Sequence, residues 1–442
     1  MEPIDHVAWW RPAGQPARDG AKVQPRAASS PVAFWALMVF MGILLVAPQA
    51  IFPALAPLRI ALLAAGVGVI AHLLDCWFAG RPITIVTREM KITVCLLGWA
   101  IATIPFSLWP GGSLEALTDL FVKSLVLFWL ISNTVTTVRR FQQFAWGLNL
   151  LSVPIAGTAL MNYLSGTFVQ GAERIAGYDA PLTANPNDLA LTLNLIIPFT
   201  LALLQLTRRP LSGTALLIIL VLDVTAVVLT FSRGGILTLT VILGITVIRL
   251  LRSSKRLGGV ALLAVSLACL PLLPASYWHR LTTITDIESD ETGSAQARRD
   301  GSLGALRFVL THPVLGAGIG SDVLALNEQV GSTWHAVHNA YLQYGVDLGL
   351  PGLGLFLALF ATCLGSASAT QHRGGRGRNA RKTSHLAQAT WLGLVAFGVA
   401  ALFHPVAYNF YFYYLAGLAT ACGIGLGERT RRDATSAAVL SQ

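Results

Sequence analysis

Apolar runs long enough to cross a bilayer recur from residue 32 to residue 427, and no other feature constrains this chain as much. A hydrocarbon core takes about 20 consecutive apolar residues per helix. Such runs lie near 32–48, 54–78, 92–109, 114–132, 141–161, 188–206, 211–231, 234–250, 257–277, 339–366, 388–403 and 408–427. Charged residues make up only 12% of the chain, about half the fraction usual in a soluble domain. The sequence therefore predicts an all-α polytopic membrane protein with about twelve transmembrane helices. Residues 1–31 are polar, proline-containing and basic, which suits a cytoplasmic tail better than a cleaved leader. Residues 32–427 form the transmembrane domain and 428–442 a second tail.

The net charge of +10 would suit a nucleic-acid partner only if it gathered on one soluble face. It does not. Arg11, Arg18, Lys22 and Arg26 precede the first span, and Arg81, Arg88 and Lys91 follow the second. Arg139 and Arg140, Arg208 and Arg209, then Arg249, Arg252, Lys255 and Arg256 mark the next alternate loops. Arg373, Arg376, Arg378, Arg381 and Lys382 continue the series, and Arg429, Arg431 and Arg432 close it. Most of the 31 basic residues thus fall on one side, which the positive-inside rule makes cytoplasmic together with both termini. The charge is a topology signal, and no nucleic-acid partner is expected.

The opposite face carries short connections and two larger loops, about 162–187 and 278–338. Within the longer loop, Leu303, Leu306 and Leu310 give 296–310 the spacing of a helix lying on the membrane surface. THPVLGAGIGSD then reads as a Pro/Gly turn; no strand precedes its G-x-G-x-G, as a dinucleotide site requires. Cys76, Cys95, Cys269, Cys363 and Cys422 show no CxxC spacing and serve as small apolar filler.

With the cytoplasmic arginines explained, those on the other face become informative. Arg233, in TFSRGGIL, stands where two spans meet with almost no loop. A charge at that depth is costly unless paired or facing water, so it marks a candidate site, with snorkelling to headgroups as the alternative. Arg174 precedes an N-P-N-D sequence in which Asn187 or Asp188 either caps the next helix or meets a substrate. Arg298 and Arg299 sit in the surface helix. Several arginines beside a helix N-terminus suit a diphosphate, whose departing charge guanidinium groups can neutralise. Asp119 and Lys123, four residues apart, are expected to pair with each other, whereas Asp223 and Asp347 have no evident role.

The second histidine of HAVHNAYLQYGVDLGLPGLG, residues 335–354, has three open readings. His335 and His338 could share a metal, but no third ligand is near in sequence. His338 could instead take a proton from a hydroxyl, or simply occupy a helix mouth.

This stretch resembles the O-antigen ligase and polymerase superfamily of bacterial membrane glycosyltransferases. His338, Asn339, nine further residues and then Gly349, Gly352 and Gly354 are similar to the ligase pattern, with Leu353 where the family has Thr. RDGSL at Arg299–Leu303, SRGG at Arg233, the Arg174 to Asn-Pro-Asn stretch and HPVLGAGIG are family-like as well. The resemblance covers roughly 30–427 and implies a GT-C-like fold with short helices in the large periplasmic loop. It implies transfer of O-antigen polysaccharide from undecaprenyl diphosphate to the lipid A-core, at the periplasmic face of the inner membrane. In that reading His338 is the general base, and Arg174, Arg233 and one of Arg298 or Arg299 hold the diphosphate. Asn187, Asn339 and His335 line the substrate cleft. The reaction inverts the anomeric carbon and uses no metal or other cofactor; membrane lipids are the remaining partners. The glycines at 349, 352 and 354 read as close helix packing. An O-antigen polymerase with the same donor is the nearest alternative, and a transporter of lipid-linked saccharide a more distant one.

Overall fold

A computed structural model describes residues 30–168, 174–180, 182–269, 294–331, 336–372 and 377–426. Both tails and His335 lie outside the described residues, as does Cys269 beyond its backbone. The helices are α1 (Pro31–Val46), α2 (Ile60–Phe78), α3 (Arg88–Thr103), α4 (Pro110–Ala116), α5 (Val122–Thr134), α6 (Val138–Leu164), α7 (Pro186–Leu206) and α8 (Pro210–Leu229). They continue as α9 (Arg233–Leu251), α10 (Arg256–Cys269), α11 (Ser294–Thr311), α12 (Asp322–Val330), α13 (Ala340–His372), α14 (Arg378–Ala400) and α15 (Phe410–Ala421). No strand occurs among the described residues, only one isolated bridge between Phe168 and Ile175. Seven described helices, those containing α2, α3, α6, α7, α8, α9 and α13, are long and apolar enough to cross a membrane. Helices α1, α10 and α15 are apolar but shorter.

Where each helix sits follows from which of its faces is apolar. Helix α7 is apolar all round, and 78% of its span is buried among α6, α8, α9 and α14. Every residue of α15 is buried too, its Phe and Tyr rings packing against α5, α13 and α14. Helix α2 is equally apolar but only 6% buried, so its leucines form an outer surface suited to lipid. The surface helix predicted for 296–310 is α11. Ala305, Phe308 and Val309 face inward, while Leu303, Leu306 and Leu310 remain exposed, as a helix lying on lipid requires.

The predicted Asp119–Lys123 pair forms at 2.8 Å. The two unassigned acids have structural partners: Ser152 Oγ donates to Asp223, and the Gly320 amide donates to Asp347.

The glycine-punctuated run proves to be a kink rather than a packing stripe. Gly349 interrupts α13 with φ 65° and ψ −173°, and Pro351 removes a further amide from the ladder. The carbonyls of Val346, Asp347 and Leu348 lose their helical donors there. They accept instead from the Ala317 amide, the Gly318 amide and the Trp99 indole. The Leu350 amide donates to Pro313. Gly316, Gly318 and Gly320 all adopt positive φ, so the 312–321 turn seats in the kink; it is a structural element. Gly354 faces open space. A Cβ at Gly349 would overlap the Val314 carbonyl in a backbone region open essentially to glycine alone. Gly349→Ala is therefore expected to cost roughly 3 kcal/mol or more, while Gly354→Ala leaves stability nearly unchanged. Thermal unfolding of the two variants in detergent checks the contrast.

Candidate functional site

Three interhelical junctions meet at one pole of the bundle: α6 to α7, α8 to α9, and α14 to α15. The sharpest is the middle one. Thr230 closes α8, Ser232 caps α9, and the chain reverses through Phe231 alone at φ 51°. That left-handed conformation is unfavourable for a bulky residue. The turn is held by the Thr230 hydroxyl, which donates to Val227 and accepts from the Ser232 amide.

Asn187 ties the junctions together. The capping role expected for Asn187 or Asp188 falls instead to Asn185, whose side chain accepts the Asn187 amide at 2.8 Å. Proline at the first helical position places the cap one residue earlier. This leaves Asn187 Oδ1 to accept from Arg174 Nη2 at 2.6 Å and from Ser232 Oγ at 2.8 Å. Arg174 Nε also donates to the Thr230 carbonyl at 3.3 Å. Arg174 is thus held by groups from two different helix ends.

Arg233 is the first residue of α9, half-buried directly after the Ser232 cap. The α9 N-terminus packs closely on its neighbours, since a Cβ at Gly235 would collide with Ala190 and one at Gly234 would press on Phe403. The N-termini of α7 and α9 therefore lie side by side, and each adds partial positive charge to that of Arg174 and Arg233. Such a pole attracts an anion.

The third junction contributes a residue that the sequence did not single out. His404, in the short link between α14 and α15, is 2% exposed. Its Nδ1 lies 2.9 Å from the Ala400 carbonyl and its Nε2 lies 3.2 Å from the Asn187 carbonyl. Burial holds its pKa below the ordinary histidine value; the two carbonyls push it up, and the charges of Arg298 and Arg174 push it down. Arg298 is therefore within electrostatic reach of His404. It is half-buried on α11, while its neighbour Arg299 is exposed. The only sequence signal for His404 was a histidine in an interspan link too short to hold anything unneeded.

His338 reaches the pole through the same link, because the Ala340 amide donates to the Ala401 carbonyl at 2.8 Å. His338 Nδ1 lies 2.8 Å from the Ala336 carbonyl. A carbonyl can only accept, so Nδ1 is the donor; whenever the ring is neutral, its lone pair then belongs to Nε2. Asn339 Oδ1 accepts from the Tyr341 and Leu342 amides and so starts α13. The segment is braced from below by buried Asp322, which accepts the Val337 amide at 2.8 Å. Burial raises the pKa of Asp322, against the opposing hydrogen bonds from Val337 and Gln343. Asp322→Ala is expected to loosen His338 and lower turnover about tenfold, whereas Asp322→Asn keeps an acceptor and most of the rate. Steady-state turnover of both variants, compared with their KM for donor, checks it.

An all-α bundle with arginines, two helix N-termini and a histidine gathered at one pole is a polytopic membrane protein with a site suited to anions. Residues 196–357 match the family model described as O-Antigen ligase, so that part of the chain is similar to the family. Comparison with curated proteins finds no match. The family implies a membrane glycosyltransferase-like enzyme of ligase or polymerase type. The matched segment contains Arg233, Arg298, Arg299, His335, His338 and Asn339; Arg174, Asn187 and His404 fall outside it.

Proposed function

We propose that the protein transfers O-antigen polysaccharide from undecaprenyl diphosphate to the lipid A-core, at the periplasmic face of the bacterial inner membrane. The acceptor hydroxyl attacks the anomeric carbon as the carbon–oxygen bond to the diphosphate breaks, so the carbon inverts. His338 Nε2 takes the hydroxyl proton, and the diphosphate leaves with the bonding electrons. Arg174, Arg233 and Arg298 hold the charge that develops on it. The single observation that carries the reading is the set of helix N-termini and arginines around Asn187 and His404, linked by backbone to the His338 segment. Three guanidinium groups supply the charge neutralisation a metal would otherwise give, so the reaction needs none.

Deleting the gene and examining the host's lipopolysaccharide tests this. Long polymer stranded on the carrier beside bare core is the expected result. Core bearing a single repeat would make the protein a polymerase, and intermediates trapped on the cytoplasmic face would make it a transporter. In a reconstituted assay, activity is expected to survive a chelator; loss restored by one cation would overturn the metal-free mechanism.

A further inference from the structure

The opposite end of the bundle holds a cavity of about 830 Å³, where the α7–α8 link faces the start of α14. Arg208, Arg209, Arg378, Arg381 and Lys382 line it. No acid lines it, and among the described residues no Asp or Glu pairs with any of the five. Lys382 donates instead to the neutral Gln142 at 3.0 Å. Topology alone asks for basic residues at this end of the chain, but it does not ask that five of them surround one cavity.

Two features sharpen what the cavity would take. Helices α8 and α14 both begin at it, and neither is capped by a side chain, so their first-turn amides add to the positive field. The inner wall is apolar, formed by Trp146, Leu203 and Leu206. One turn further along α6 from Trp146, Leu150 is 61% exposed on the outer surface of the bundle. A cationic mouth beside an apolar wall, with an exposed apolar flank one helical turn away, matches a phosphate headgroup with acyl chains behind it. Free phosphate would use the cations but not the wall.

We propose that this cavity binds the phosphate headgroup of an anionic phospholipid from the adjacent leaflet, at a site separate from the proposed catalytic pole. The juxtaposition of five cations with an apolar wall carries the proposal. Each cation near an anionic headgroup is worth roughly a fivefold change in affinity, so two removed together are expected to weaken binding about thirtyfold.

The experiment uses the full chain purified in detergent, with phosphatidylglycerol or phosphatidylcholine titrated in and bound lipid counted by native mass spectrometry. Arg209→Ala/Arg381→Ala is compared with Arg252→Ala/Arg256→Ala, which removes two arginines from the same end but outside the cavity. Both variants are first checked for a single elution peak and an unaltered melting temperature. The expected result is one phosphatidylglycerol retained by wild type and by the second variant, weakened about thirtyfold in the first, with phosphatidylcholine held poorly by all three. Equal retention of the two lipids, or equal losses in both variants, would overturn the proposal. So would inorganic phosphate raising the melting temperature of lipid-stripped protein as far as phosphatidylglycerol does, because the cavity would then belong to free phosphate.

Discussion

Replacing His338 with alanine is expected to lower turnover between about a hundredfold and ten-thousandfold, the usual contribution of a positioned general base. The effect should fall on the chemical step. The proposed contacts to the diphosphate come from other residues, so KM for the lipid-linked donor should stay near the wild-type value. His338→Gln is expected to be no better, because an amide occupies the space without taking a proton. The Ala336 carbonyl adds a spectroscopic check on the intact protein. It fixes the proton on Nδ1, so the ¹⁵N shifts of His338 should report the Nδ1–H tautomer. Full ligation by His338→Ala would remove the proposed base.

The second large effect is expected at Arg174. Its alanine variant should lose roughly a hundredfold to a thousandfold in turnover, the scale of removing one donor to a developing oxyanion. Lysine should not restore it. A single ammonium cannot donate to Asn187 and Thr230 in the fixed geometry of a guanidinium and also meet a phosphate. Asn187→Ala should lose less, and should add little to Arg174→Ala, because Asn187 acts by orienting Arg174. A double-mutant cycle on turnover decides it: additive losses would mean that Asn187 has a separate role.

The bundle was readable because a bilayer translates directly into run length, and a helix apolar on every side needs no finer pattern. The arginine positions stood out for the converse reason, whatever role each one has. At Arg233 a charge stands where the solvent cannot pay for it, so it announces itself. Asn185 was the cap all along, and Pro186 after it was the overlooked sign. The kink was harder. Gly349 and Gly354 look alike in a sequence, and only the backbone angle of the first separates a required glycine from an incidental one. His404 offered only its place in a short interspan link. What distinguishes it is two carbonyls and two arginine charges brought together from distant parts of the chain.

The groups that orient this pole are mostly main-chain oxygens. Thr230 holds Arg174, Ala336 holds His338, Ala400 and Asn187 hold His404, and Ala401 holds the first amide of α13. Every amino acid possesses that atom. An alanine scan through positions 336, 400 and 401 would thus see nothing of the scaffold, since those residues already are alanine and their oxygens survive any exchange. Sequences can drift widely around such a frame while its shape persists, and a shift of backbone, as from an inserted residue or a proline, would damage it more than loss of a side chain.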